Sequence, residues 1–223
     1  RNADLMTRFR SNCHFKDEVA LIAEDLPDAE RIAEAVRIVK SHVEWNGRYT
    51  VSPEPLAQVI KSGAGTNADI NCLIAGCLKE MGYEANLIML KARTSGHLLD
   101  FQPERFPYDT FVVGVVGKDG KEYYLDGGSW YGYLNVLPPN FLVPNARMIR
   151  NNGPGQWVDL TRLSRNSTIM DVSANLTDDM RLSGEAVAKY TGNPSTSKKT
   201  DYMRFEDEDE FIADMESDYH IDI

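Results

Sequence analysis

The sequence predicts an α+β fold, in which helices come first and an antiparallel sheet follows. Apolar residues recur at helical spacing through most of the region before Tyr83, and three strand-like segments lie between Ala85 and Asp126. The 223 residues, 42% of them hydrophobic and 26% charged, are enough to bury a sizeable core. The sequence contains no internal repeat.

Two amphipathic helices are predicted before the central one. The first begins at Pro27 and is ended by Trp45-Asn46-Gly47. The second begins at Ser52-Pro53, a serine cap followed by proline at the first helical position, and ends at Gly63. Their buried faces are predicted from apolar residues at helical spacing: Ile32, Val36, Val39 and Val43 in the first, and Leu56, Val59 and Ile60 in the second.

The central helix is predicted within Ser62–Tyr83, which opens with glycines, turns polar and then becomes amphipathic. We expect Asn67 to lie at its N-terminus, partly exposed, and Cys72 to be buried. The helix is expected to end near Met81, before Gly82. Its buried stripe is Ile70, Leu73, Ile74, Cys77, Leu78 and Met81.

Three strands follow, and the loop between the last two sets their register. The predicted strands are Ala85–Leu90, Thr110–Val116 and Glu122–Asp126. A three-residue loop ending in a left-handed Gly120 pairs Gly117 with Lys121 and puts Thr110 and Asp126 on one face. A two-residue loop would put them on opposite faces. The order Lys-Asp-Gly favours the three-residue loop, because glycine falls where positive φ is needed.

Beyond Leu163 the sequence changes character, which predicts two domains, 1–163 and 164–223. Thr168–Leu176 and Arg181–Tyr190 alternate like two half-buried strands. Asn193–Thr200 is predicted to be a polar loop. The region is either the start of a second, β-rich domain or an extension of the first sheet, and it ends in an acidic tail.

The net charge of −10 comes almost entirely from this tail. Nine acidic residues lie between Phe205 and Ile223, and the rest of the chain carries 25 acidic and 24 basic residues. Nucleic-acid binding is therefore not expected, and the tail is interpreted as a solvated helix face. No apolar run approaches the roughly 20 residues of a membrane span.

The cysteines and histidines give no spacing typical of a metal site. Cys13, Cys72 and Cys77 contain no CxxC pair and suggest no obvious disulfide framework. Cys72 and Cys77 lie about 140° apart around a helix and cannot easily share a metal. We therefore expect neither a metal nor a cofactor.

Several short segments carry a resemblance to a known family. In order, they are Trp45-Asn46-Gly47, Gly65–Asn71, Lys91–Gly96, Tyr123–Asp126 and Leu137-Pro138-Pro139. From about Glu30 to Asn145 the chain resembles the transglutaminase-like superfamily, which shares the papain-like cysteine-protease architecture. It is most similar to the bacterial type that lies between β-rich domains of exported proteins. The resemblance implies a periplasmic or otherwise exported location, and the start at Arg1 suggests a fragment of a longer protein.

The family's catalytic triad is degenerate in this sequence. In the family a Cys opens the central helix, a His begins a following strand and an Asp closes the next. The matching positions here are Asn67, Thr110 and Asp126. An amide cannot act as a thiolate-type nucleophile, and a threonine hydroxyl cannot act as the base near neutral pH. Asp126 is expected to hydrogen-bond Thr110 and backbone amides.

No other residue is expected to restore the chemistry. Cys72 lies about one and a half turns past Asn67, so its thiol cannot take the position at the helix N-terminus where the family's nucleophile lies. We expect Cys72 to be structural. His97 is expected in a surface loop. The candidate lining of a cleft is Thr66, Asp69, Trp130 and Tyr131.

The resemblance implies a catalytically inactive transglutaminase-like domain that serves as a binding or scaffolding module of a larger bacterial exported protein. Its partner could be a peptide, a glycan or a neighbouring domain of the same chain. The alternative is an active cysteine hydrolase or acyltransferase that uses Cys72 with His97. A third class is a purely structural linker domain.

Overall fold

The computed structural model of the chain describes residues 2–96, 108–129, 134–150, 154–163 and 165–222. His97, Trp130 and Tyr131 lie outside the described residues. The chain divides into two compact units, Arg1–Ser164 and Arg165–Ile223. The boundary lies one residue from the predicted position.

The described residues of the first unit form the helices α1 Asn2–Phe9, α2 Lys16–Val19, α3 Asp28–His42, α4 Leu56–Ser62 and α5 Asn67–Glu80. Helix α4 begins later than predicted, because Pro55 occupies its N-cap position. A proline disfavours the helical conformation of the residue before it, so Glu54 cannot continue a helix begun at Pro53. Gly63 ends α4 with a φ of 71°.

Two sheets accompany these helices in the part of the unit that the structure describes. The first is a short parallel pair, β1 Glu44–Trp45 with β2 Ala64–Gly65. The second has five antiparallel strands in the order β5-β4-β3-β6-β7. Its strands are β3 Glu84–Leu90, β4 Thr110–Val116, β5 Glu122–Leu125, β6 Ala146–Ile149 and β7 Gln156–Val158. The α+β class predicted from the sequence is therefore present, and β6 and β7 extend the sheet beyond the three predicted strands.

The hairpin between β4 and β5 has the predicted three-residue loop. The backbone N–H of Gly117 donates to the carbonyl of Lys121 at 2.8 Å. Gly120 has a φ of 78°, and its N–H donates to the carbonyl of Gly117 at 3.0 Å. Val113 pairs with Leu125. Asp126 therefore follows in register beside Val112, near the start of β4.

Helix α5 is the centre of the first unit. Every residue from Asn67 to Leu78 is buried, because α5 contacts the four other helices and strands β3 and β4. Phe111 and Val113 face the helical layer. The alternate residues Ile88 and Val112 belong to a second apolar cluster with Phe141 and Leu160. The five-stranded sheet thus has a packed core on each side.

The second unit contains β8 Ser167–Leu176, β9 Leu182–Thr191, α6 Asn193–Tyr202 and α7 Glu208–Tyr219. Strands β8 and β9 pair with each other in a two-stranded sheet. Their side chains are almost all exposed, not half-buried as predicted. We call this pair the β8–β9 ribbon.

The predicted loop at Asn193–Thr200 is the helix α6. Its residues are mostly polar and it lacks an apolar stripe, so the periodicity that reveals a buried helix is missing. The proline in its first turn is consistent with a helix start. The acidic tail forms α7, which is capped by the Asp207 side chain accepting from the N–H of Glu210.

Within the described parts of the chain, none of the helices has the length and apolar character needed to cross a membrane. The same residues contain no group of three or more histidine, cysteine and acidic side chains placed to hold a metal ion.

Candidate functional site

The N-terminus of α5 is fixed by a reciprocal pair of hydrogen bonds. The Thr66 hydroxyl accepts from the backbone N–H of Asp69 at 3.3 Å, and the Asp69 carboxylate accepts from the backbone N–H of Thr66 at 2.7 Å. Asp69 also accepts from the backbone N–H of Glu54 at 2.6 Å. Both side chains are buried and occupied by this capping box. Thr66 and Asp69 therefore hold the start of α5 in place, and their role as cleft lining stays a prediction.

Asn67 occupies the first position of α5 and is completely buried, so the prediction of partial exposure is wrong. Its amide Nδ2 donates to the Thr110 hydroxyl at 2.7 Å. Its Oδ1 accepts from the backbone N–H of Thr50 at 2.8 Å. The backbone N–H of Asn67 also donates to the Arg48 carbonyl at 3.2 Å. The segment around Arg48–Thr50 thus closes over the helix start, which local sequence patterns do not reveal.

Asp126 follows β5 and is held by a different set of donors. Its carboxylate accepts from the Tyr49 hydroxyl and from Nδ2 of Asn71, each at 3.3 Å. A backbone hydrogen bond from Gly128 also stabilises its charged form. Asp126 thus takes its donors from Tyr49, Asn71 and Gly128, while the Thr110 hydroxyl accepts from Asn67, in place of the expected bond between Asp126 and Thr110.

Burial dominates the electrostatics of Asp126. It raises the pKa of the carboxyl from 3.8 to about 6, because the charged form loses its hydration. The backbone and side-chain hydrogen bonds and the positive charge of Lys40 act in the opposite direction. Burial likewise lowers the pKa of Lys40, which donates to the carbonyl of Ser129.

Asn71 connects these groups, and sequence reasoning missed it. Its Nδ2 donates to the Phe111 carbonyl at 2.9 Å as well as to Asp126, and its Oδ1 accepts from the N–H of Gly127 at 2.7 Å. Asn67 and Asn71 lie four residues apart, on one face of α5. This spacing could have predicted that the two asparagines act together. Tyr49 carried no comparable signal.

The site is filled by the protein's own atoms. A Cβ at Gly127 would lie 2.5 Å from Cγ2 of Ile70, and a Cβ at Gly128 would lie 2.5 Å from the Tyr49 ring and 3.0 Å from Cβ of Asn67. The two glycines therefore allow the chain after Asp126 to lie directly against α5 and Tyr49. These residues therefore leave no open groove above Asn67.

The thiol nearest to the site in sequence is in the core. Cys72 is fully buried, and burial raises the pKa of its thiol. A raised pKa suppresses the thiolate, which is the nucleophilic form. As predicted, Cys72 is a core residue. Its proposed base, His97, lies outside the described residues.

These contacts bring together the three positions singled out from the sequence. Asn67 reaches Thr110 directly, while Asn71, one turn along α5, reaches Asp126. The groups present are amides, hydroxyls, one carboxyl of raised pKa and one amine. Such groups can fix the helix to the sheet by hydrogen bonds. They supply neither a thiolate nor an imidazole at the helix N-terminus.

No family model matches the chain, and no curated protein does. Among solved structures, the chain is similar to a "putative protease" from Parabacteroides distasonis, with a TM-score of 0.49 and 15% sequence identity. The match covers 71% of this chain and 30% of that protein. The likeness is weak and concerns the fold at most.

Proposed function

We propose that the chain is a catalytically inactive domain of the transglutaminase-like group, with a papain-like architecture, that acts as a binding or scaffolding module of a larger bacterial exported protein. One observation carries the proposal. At the start of the central helix, where an active member needs a thiol facing an imidazole, the buried amide of Asn67 donates to the hydroxyl of Thr110.

The chemistry of this pair supports a structural role. Acyl transfer by this class of enzyme needs a thiolate, a base that accepts its proton and a group that orients the base. An amide has no acidic proton to give up near neutral pH, and the threonine hydroxyl is not a base. Asp126 has no imidazole to orient and instead accepts from Tyr49 and Asn71.

The burial of the pair supports the same conclusion. Both polar ends of the Asn67 amide are used inside the protein, by Thr110 and by Thr50. A substrate carbonyl would have to displace these bonds to approach the helix N-terminus. The network thus acts as a clamp that holds α5, β4 and the segment around Tyr49 together.

The β8–β9 ribbon supports the binding part of the proposal. The register places the even-numbered residues of β8 opposite even-numbered residues of β9, so they share one face. That face is almost entirely apolar: Met170, Val172, Ala174 and Leu176 with Leu182, Gly184, Ala186, Ala188 and Tyr190. Its large aliphatic side chains are between 58% and 76% exposed. An exposed apolar face of this kind favours a protein surface, such as a neighbouring domain, over a glycan.

The rival function, hydrolysis or acyl transfer by Cys72, requires the thiol to reach a substrate. Its complete burial and raised pKa oppose this. Alkylation of the native protein by iodoacetamide at mildly acidic pH distinguishes the two functions. We expect Cys72 to be modified only after unfolding in urea, with Cys72→Ala identifying its share of the signal. Fast, selective modification of native Cys72 would contradict the proposal.

The binding part has a separate test on the ribbon. Val172→Lys and Leu182→Lys change the apolar face, whereas Ser173→Lys and Ser183→Lys place the same charge on the opposite face. We expect the first pair to lower the fluorescence enhancement of an apolar dye such as ANS, and the second pair to leave it unchanged. An equal response in both pairs would show that the apolar face is not available to a partner.

A further inference from the structure

Two thiols that are far apart in the sequence meet in the structure. The Sγ atoms of Cys13 and Cys77 lie 3.4 Å apart, although the residues are 64 positions apart in the chain. Cys13 belongs to the connection between α1 and α2 and is partly exposed, whereas Cys77 lies in α5 and is buried. All three cysteines are free thiols in the structure, and the contact between Cys13 and Cys77 could not be predicted from their spacing in the sequence.

A glycine makes the close approach possible. A Cβ at Gly76 would lie 3.2 Å from the carbonyl oxygen of Asn12 and 3.5 Å from Cα of Cys13. The absence of a side chain at this position lets the backbone of residues 12–13 lie against α5. The backbone N–H of Phe15 also donates to Sγ of Cys13 at 3.4 Å, which fixes the sulfur beside Cys77.

We propose that Cys13 and Cys77 form a disulfide when the protein meets an oxidising thiol–disulfide pool. A disulfide needs its sulfurs about 2.05 Å apart, so the two Sγ atoms must approach by roughly 1.4 Å. Rotation of the two side chains can supply much of this movement. Cys72 provides an internal control, because it is fully buried elsewhere on α5.

The oxidant in this step is a small-molecule disulfide such as oxidised glutathione. The thiolate of the partly exposed Cys13 attacks one glutathione sulfur, and one reduced glutathione leaves. The Cys77 thiol then loses its proton and attacks the Cys13 sulfur, and the second reduced glutathione leaves. The protein gives up two electrons and two protons in total. Burial raises the pKa of Cys77, so the second step is expected to be the slower one.

The cross-link would tie the N-terminal segment to the central helix. It closes a long loop that contains α2, α3, α4 and most of α5. Constraining the unfolded chain in this way stabilises the fold. The inference is independent of the proposed function, because neither thiol belongs to the network around Asn67.

The test is to incubate the native full chain with oxidised glutathione, quench with acid and alkylate the remaining thiols after unfolding. Mass spectrometry should show a loss of two hydrogen atoms and one alkylated cysteine. The linked peptides should contain Cys13 and Cys77. We expect the oxidised protein to have a Tm roughly 5–15 °C above that of the reduced protein.

Three variants decide between the cysteines. Cys72→Ser should still form the cross-link, and Cys13→Ser should keep two alkylatable thiols. Cys77→Ala should form no cross-link and should instead hold glutathione on Cys13, with Cys72 as its alkylatable thiol. Three free thiols in the treated wild-type protein would overturn the proposal. So would a stable glutathione adduct on Cys13, since Cys77 would then be unable to resolve it, and so would a cross-link that consumes Cys72. Cys13→Ser removes a partly exposed side chain, so it tests the pair even if the variant at Cys77 fails to fold.

Discussion

The side-chain amide of Asn67 donates a hydrogen bond of 2.7 Å to the hydroxyl of Thr110, 43 positions away in the chain. The bond joins the first turn of α5 to the first residue of β4. The other end of the same amide accepts from the N–H of Thr50. A single buried side chain therefore connects three separate segments, and this arrangement leads to the following predictions.

Replacing Asn67 by alanine should destabilise the protein strongly. The change leaves the buried N–H of Thr50 without its acceptor and removes the donor to Thr110, so we expect a loss of about 2–3 kcal/mol in the free energy of unfolding. Urea denaturation measures it. Asn175→Ala on the exposed ribbon is the matched control and should cost less than about 0.5 kcal/mol. Equal effects of the two changes would show that the Asn67 bonds do not stabilise the fold.

Asn67→Cys alone should not create a hydrolase or an acyltransferase. The variant supplies a thiol at the helix N-terminus but no base to accept its proton, and the residues of a triad act as a unit. Asn67→Cys combined with Thr110→His is the complete test. Turnover of an activated acyl ester should be compared in both variants and in Asn67→Ser. Activity in the single variant would show that the base lies elsewhere.

The raised pKa of Asp126 should make its contribution to stability depend on pH. Its pKa is about 6 in the folded protein, and the ordinary value of 3.8 applies to the unfolded chain. Between these two pH values the folded protein therefore binds more protons than the unfolded chain. The free energy of unfolding therefore loses its contribution from this carboxyl as pH rises through 6. The loss amounts to about 3 kcal/mol at most.

Asp126→Asn isolates this effect, because the amide stays neutral at every pH. We expect the free energy of unfolding of the variant, relative to wild type, to rise between pH 4 and pH 7 in urea titrations. Asp171→Asn makes the same chemical change on the exposed ribbon, away from this site, and is the control. A flat difference for Asp126→Asn would mean that the carboxyl is not held in a desolvated site.

Two variants should measure how much the capping box of α5 contributes to the stability of the fold. Thr66→Ala removes the hydroxyl that accepts from the N–H of Asp69, and we expect it to cost about 1–2 kcal/mol in the free energy of unfolding. Thr66→Ser keeps that hydroxyl and should cost clearly less. Denaturation of both variants under one condition checks this. Equal losses would assign the effect to the methyl group of Thr66 instead.

Local sequence patterns determined the elements that position the site. The apolar stripe and the polar start of α5 predicted its extent to within a residue at each end. The order Lys118-Asp119-Gly120 predicted the hairpin loop, because only glycine adopts positive φ there without strain. These predictions succeeded because each depends on the conformational preferences of a few adjacent residues.

Local patterns predicted an element wrongly where an adjacent residue moved its start, and they missed an element where no apolar stripe was present. Pro55 delays the start of α4, and α6 forms without a buried face. Strands β6 and β7 are only four and three residues long, too short for alternation to show clearly.

The tertiary structure alone decided which groups are covered and which meet. The sequence placed Asn67 at a helix start, where a side chain is usually half exposed, but the segment at Arg48–Thr50 buries it. The sequence did not predict that Cys13 and Cys77 meet, although their sulfurs lie in contact beside Gly76. Local periodicity fixes the direction of a side chain from its own element. Burial and contact depend on which distant segment packs over that side chain, and that is settled only when the whole chain has folded.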